Sequence, residues 1–194
     1  ISAGASHTCA LTTAGGVKCW GNNNYGQLGD GTTAQRLTPV NVSGLTGGVS
    51  AITAGYRHIC ALTTSGGVKC WGANWYGQLG DGTTTDHLTP ANVSGLSSGV
   101  TAIAAGVEHT CALTSSGGIQ CWGNNSNGQV GDGTTTNRTI PVNVSGATTG
   151  MTAVDTGNLH TCALTSGGGI KCWGNNFSGQ LGDGTTIQRL TPVA

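Results

Sequence analysis

The sequence predicts an all-β, propeller-type array of four-stranded antiparallel blades. Three observations carry this. His7, His58, His109 and His160 recur at a strict period of 51 residues, and so do Cys9, Cys60, Cys111 and Cys162 and Trp20, Trp71, Trp122 and Trp173. The apolar residues fall in short Val, Leu, Thr and Trp runs between Gly, Asn and Asp turn residues, with no helical 3.6-residue spacing. Each repeat holds two Cys on either side of a Gly-containing turn, in stretches such as "HTCALTTAGGVKCWG". A fixed period of this length marks a solenoid, a propeller or an array.

The units are 1–51, 52–102, 103–153 and 154–194, one continuous domain whose fourth unit is incomplete. Four strands are predicted in each. The first is "ITAG" at the head of the unit. The second is "HTCALTT", and the third is "GGVKCWG", joined to it by the tight turn. A Gly/Asn/Asp loop, "NNNYGQLGDGTT", follows. The fourth is "TPVNVSG", opened by Pro39, Pro90, Pro141 or Pro192, since a strand start tolerates the missing N–H. Four short strands in about 50 residues are the content of one propeller blade.

Composition narrows the function. Of 194 residues only 7% are charged, with seven basic side chains balancing seven acidic ones. That excludes the electrostatic footprint of a nucleic-acid or anionic-membrane binder. The 36 Gly sit at fixed places, which means turns and not flexible coil. No apolar run reaches the ~18–20 residues of a membrane helix. The start at Ile1, partway into a unit, points to a processed chain or a portion of a longer one.

The motif "WGNNNYGQLGDGTT", preceded by "AGASHTCALT", resembles the repeat of the regulator of chromosome condensation family. The second unit carries it as Gly55, His58, Ala61, Leu62, Trp71, Gly72, Asn74, Gly77, Gln78, Leu79 and Gly80; the third has Val130 in place of the Leu. The resemblance covers the whole chain. It implies four-stranded blades around an axis, closed in most members by seven blades, so this chain would be part of a larger ring or would assemble its blades between chains. The Cys-bearing form resembles repeats of secreted and surface-exposed bacterial proteins. Exchange-factor activity is not carried over.

If the hairpin turns at Ala14, Cys9 faces Cys19, Leu11 faces Val17 and Thr8 faces Trp20. Side chains alternate, so both Cys share a face with His7 and Leu11, while Trp20 points toward a neighbouring blade. Facing positions lie ~4.5–5.5 Å apart at Cα, inside the reach of a disulfide. Disulfides Cys9–Cys19, Cys60–Cys70, Cys111–Cys121 and Cys162–Cys172 are expected, and with them an oxidising, extracellular or cell-surface location. The competing reading is a metal site, His-x-Cys plus the facing Cys. The family resemblance makes the His a packing and hydrogen-bonding residue instead. No metal or other cofactor is expected.

Asp30, Asp81, Asp132 and Asp183 in "GDGTT" read as turn formers that bond their own backbone two residues on, not as calcium ligands, which come in clusters. Asn41, Asn92, Asn124, Asn137, Asn143 and Asn176 head formal glycosylation sequons. Acids outside the repeat pattern are Asp86, Glu108 and Asp155, and nothing among them suggests a catalytic pair. The chain is expected to be no enzyme.

The units differ at few places. Tyr56 and Arg57 follow the first strand of the second unit. Tyr25, Trp75, Tyr76 and Phe177 lie in the long loops, and Arg36, Arg138 and Arg189 precede the Pro. Loops on a rigid frame carry recognition, and these residue types dominate binding hot spots. The expected role is an extracellular, non-enzymatic interaction or structural scaffold that self-associates or binds a protein. The alternative is a lectin-like binder of glycan or protein with an aromatic rim. No nucleic acid and no membrane insertion are expected.

Overall fold

A computed structural model describes all residues, 1–194. Sixteen strands form four antiparallel sheets, each with its strands in sequence order. The first blade is β1 (Ser2–Ala3), β2 (His7–Leu11), β3 (Val17–Gly21) and β4 (Arg36–Asn41). The second is β5 (Val49–Ala54), β6 (His58–Thr63), β7 (Val68–Gly72) and β8 (His87–Asn92). The third is β9 (Val100–Ala105), β10 (His109–Thr114), β11 (Ile119–Gly123) and β12 (Arg138–Asn143). The fourth is β13 (Met151–Thr156), β14 (His160–Thr165), β15 (Ile170–Gly174) and β16 (Arg189–Val193). There is no helix long and apolar enough to cross a membrane.

The hairpin register is the expected one: Cys9 faces Cys19, Leu11 faces Val17 and Thr8 faces Trp20. Thr12 N donates to Gly16 O across the turn, at 2.8 Å. Counting back from that bonded pair, the Cys positions fall at the closer, non-hydrogen-bonded sites of the ladder. All four disulfides form there, one per blade, with Cα atoms 4.1 Å apart, somewhat closer than the spacing expected from register alone. No thiol is left free.

Two expectations about the outer parts of a blade need correction. Pro39 does not open its strand; it lies inside β4. Pairing along this strand runs Lys18 to Asn41 and Cys19 to Val40, then slips before Gly21 meets Arg36. The missing Pro N–H falls at that slip on the outermost strand, where no ladder bond is required. The first strand of the second blade also starts at Val49, ahead of the boundary drawn at 52. Val49 N donates to Gly15 O of the preceding blade and its side chain is buried, so the pairing extends backwards.

Blades stack by the same rule three times. The Cys face of one blade packs on the Trp face of the next: Cys60, Leu62, Val68 and Cys70 share a buried cluster with Ala112 and Trp122. Trp71, Trp122 and Trp173 are fully buried and donate to the carbonyls of Gln27, Gln78 and Gln129 of the preceding blade, at 3.0, 2.9 and 2.9 Å. The outward surfaces of the first and fourth blades are more exposed than those at the internal junctions. Ile119 is completely buried, but its counterpart Ile170 on the fourth blade is 63% exposed. Trp20, on the first blade, is only half-buried.

Candidate functional site

The repeated motif builds the blade junctions. In "GQLG", the Gln27 carbonyl accepts the next Trp, Leu28 enters the core, and Gly29 leaves room for that Trp. A Cβ on Gly29 would lie 2.7 Å from Trp71 Nε1, and its φ of 67° disfavours any other residue. The "AG…H" part has a similar logic. A Cβ on Gly55 would collide with the His58 ring, so only Gly lets the imidazole lie against the backbone.

The histidines link blades. His58 Nε2 is 3.0 Å from Thr110 Oγ1, and His109 Nε2 is 3.0 Å from Thr161 Oγ1. Each Thr hydroxyl donates to a Gln carbonyl, Gln78 or Gln129, at 2.9 Å. It therefore accepts from the imidazole, and the ring carries its proton on Nε2. Nδ1 of His58 and of His109 is buried without a partner. Burial, with the neighbouring histidines of other blades adding to it, holds His58 and His109 near a pKa of about 3. His7 is lowered by burial to about 4. Its Thr partner is replaced by Ile59, which leaves both of its ring nitrogens unpaired. The His and Cys of each blade do not converge on a metal geometry: the sulfurs bond to each other, and no group of three or more ligating side chains forms.

The long loops hold themselves by side chains. Asn125 is buried; its Oδ1 accepts from Val130 N at 2.9 Å, and its Nδ2 lies 3.0 and 3.1 Å from the carbonyls of Thr134 and Thr136. Asp132 accepts from Thr134 N, two residues on, and from the Thr134 hydroxyl. The same Asn-to-Asp arrangement recurs in the other blades. Burial works to raise the carboxyls of Asp30, Asp81 and Asp132, but Thr hydroxyl, backbone and Arg or His bonds outweigh it, and all three lie below the usual range. The Thr185 hydroxyl leads in lowering Asp183 to about 2. Asn125→Ala strips the buried Val130 N–H of its acceptor and two carbonyls of their donor. It is expected to cost about 2–3 kcal/mol, read as a lower urea midpoint at unchanged slope.

Three of the candidate binding residues belong to this loop frame. Arg36, Arg138 and Arg189 bond Asp30, Asp132 and Asp183 at 2.8, 2.6 and 2.7 Å, and His87 takes the same place against Asp81. The sequon residues Asn124 and Asn176 are buried loop builders as well. The acids outside the repeat are scattered: Asp86 accepts from Asn74 N, Glu108 from Asn124, and Asp155 from Thr156 N.

The other candidates gather at the junction of the first two blades. The Arg57 guanidinium lies 5.0 Å from the centre of the Tyr25 ring, 4.9 Å from that of Tyr56 and 5.3 Å from that of Trp75. Tyr25 and Trp75 meet edge to face, with centroids 4.8 Å apart. Tyr76 is half-buried one residue beyond Trp75. Phe177 stands apart on the fourth blade, 69% exposed, so the aromatic residues form one cluster and an outlier instead of a continuous rim. Sequence reasoning marked the cluster's members as variable loop residues. It missed that Arg57 sits among all three rings, because they come from two different units.

Comparison with known proteins agrees with this architecture. The chain is 39% identical over 196 residues to the ultraviolet-B receptor UVR8 of Arabidopsis thaliana, covering 99% of this chain and 44% of that protein. It is 34% identical over 201 residues to the human E3 ubiquitin-protein ligase HERC2, covering all of this chain and 4% of that one. The chain thus spans less than half the length of these relatives. Among solved structures, yeast RCC1 (Prp20) in its Kap60 complex matches with a TM-score of 0.83 at 24% identity, over 98% of this chain and 46% of that one. A model of the RCC1-like domain matches residues 1–194. With that match along its full length, and with the blades it describes in place, the chain belongs to the RCC1-like domain family.

Proposed function

We propose that this chain is a non-enzymatic, extracellular or cell-surface interaction scaffold built from disulfide-stapled blades. The observation that carries this is a division of labour within each repeat. Recurring polar side chains bond inward: His to Thr, Trp to the Gln carbonyl, Asn to its loop, Asp to Arg or His. Among the residues that vary between units, Tyr56, Trp75 and Phe177 are left at the loop surface, where recognition is placed on a rigid frame. One disulfide in every blade supports an oxidising location, as does the resemblance to Cys-bearing repeats of secreted bacterial proteins. The relatives are named as a receptor and as ubiquitin ligases. Their shared repeats thus support a binding frame and not one common chemistry.

Self-association is part of this reading, supported by an apolar surface that a further blade would cover. Leu164 and Ile170 border an apolar hollow of about 230 Å³ on the fourth blade, the face that receives a Trp-bearing blade at the three internal junctions. Trp20 offers the matching surface on the first. Native mass spectrometry of the oxidised protein is expected to show complexes larger than the monomer, and Ile170→Asp is expected to abolish them. A strictly monomeric protein would overturn the self-assembling form of the scaffold. Thiol trapping in the producing cells checks location: eight free thiols would rule out the extracellular placement.

A second reading, a lectin-like binder, is favoured by the Arg57 cluster, where aromatic rings and an unpaired cation meet at a surface hollow.

A further inference from the structure

Of the four arginines, three are bonded to a loop carboxylate, and Arg57 is bonded to none. Its guanidinium is held only by the three rings, and its N–H edges have no hydrogen-bond acceptor. Beside it opens a hollow of about 110 Å³, lined by loops of the first and second blades, among them Ser6, Asn22, Asn24, Tyr25 and Tyr56. No acidic side chain lines it. Asn22 Oδ1 already accepts from Gln27 Nε2 at 2.7 Å and from Asn24 N at 3.2 Å, so the Asn22 amide has only its N–H groups left to offer. The hollow therefore offers a cation and neutral amide and hydroxyl groups, with the Asn22 and Gln27 side-chain oxygens already engaged and no carboxylate to compete for the Arg57 edge.

The other junctions serve as internal controls. The position of Arg57 is Glu108 in the third unit and Leu159 in the fourth. Glu108 is bonded to Asn124, and neither position offers a cation. The arginine-bearing hollow is a property of one junction, not of the repeat.

We propose that this hollow is a carboxylate-binding subsite whose ligand is a uronic-acid carbohydrate; the proposal rests on the lectin-like reading and names its ligand class. One guanidinium edge matches one carboxylate in a two-bond fork. A phosphate or sulfate group has three oxygens to satisfy and suits a cluster of cations better than a single Arg. The exposed ring of Tyr56, which lines the hollow, and that of Trp75, which meets the lining residue Tyr25, are flat apolar platforms for the C–H face of a sugar, and the Asn amides and the Ser6 hydroxyl suit its hydroxyls. An acidic peptide fits less well. Its backbone groups also need partners, and the walls here are loops with no open strand edge.

The test uses the oxidised protein and four probes: trigalacturonic acid, its neutral methyl ester, a glutamate-rich peptide and a panel of neutral oligosaccharides. Binding is followed by calorimetry and by intrinsic tryptophan fluorescence, to which Trp75, the exposed Trp of the cluster, contributes. Trigalacturonic acid is expected to bind roughly ten- to hundredfold more tightly than the ester, with added salt weakening it. Arg57→Gln is expected to erase that preference while circular dichroism shows the fold unchanged, and Arg57→Lys to restore only part of it. Equal binding of acid and ester, or an acid preference that survives Arg57→Gln, overturns the carboxylate subsite. Arg57-dependent binding of the peptide but not of the saccharide overturns the carbohydrate class. Binding of neutral saccharides alone overturns this proposal and leaves the lectin-like reading standing; no saccharide binding at all overturns both.

Discussion

Reducing the four disulfides is expected to unfold the chain in conditions where the oxidised protein is stable. Each bridge joins residues ten apart in sequence and closes a small loop in the unfolded chain. In the chain-entropy account such a closure contributes about 2–3 kcal/mol, so four amount to about 10 kcal/mol. That is comparable to the whole stability of an ordinary domain, about 5–15 kcal/mol. Urea unfolding at neutral pH with and without a phosphine reductant measures it. The double variant Cys60→Ala, Cys70→Ala should remove about one quarter of the difference. A midpoint that ignores the reductant would show that blade packing alone holds the fold.

Acid is expected to destabilise the protein well before its carboxylates titrate. His7, His58 and His109 are neutral in the folded chain, with pKa values of about 4, 3 and 3. Unfolded, each titrates near 6.5, so between about pH 6.5 and 4 the unfolded chain binds more protons than the folded one. Stability is fully present above 6.5 and falls as pH drops through that window. At pH 5 the loss is about 2 kcal/mol for each of the three. The loop Asp residues are depressed below 3.8 and lose their contribution only at still lower pH. Urea midpoints at pH 7 and pH 5 read the sum. His109→Gln keeps a donor toward Thr161 and should remove about 2 kcal/mol of that loss, to which His160, also lowered by burial, adds its own share. If the midpoint does not move between these two values, the histidines are not buried neutral links.

Much of the blade is legible in the letters because its determinants are local. Alternation put Cys9 and Cys19 on one face and Trp20 on the other, and the hairpin turn set their register within a dozen residues. The Asp of "GDGTT" was readable as a turn former because its bonds run to Thr two residues on. The fourth strand was read less well. Pro39 looks like a boundary until the slip in pairing on the outer strand is known.

The candidate site was legible only as a set of variable positions. Arg36 and Arg57 look alike as letters; one is tied to Asp30 and the other to no carboxylate. Asp30 stands six residues from Arg36 in the same loop, whereas Arg57 meets the Tyr25 ring of the preceding repeat, an approach that spacing alone does not show.

Period, alternation and turn chemistry in this chain were therefore enough to specify four all-β units, their hairpin registers and their disulfides. These are interactions between residues a few positions apart, and the pattern of side chains encodes them directly. How one unit meets the next was decided by folding in three dimensions. Trp71 finds a carbonyl 44 residues away, His58 finds a hydroxyl 52 residues away, and Arg57 settles among rings from two blades. Such contacts depend on the twist and stacking angle of whole sheets, which no short stretch of the sequence contains.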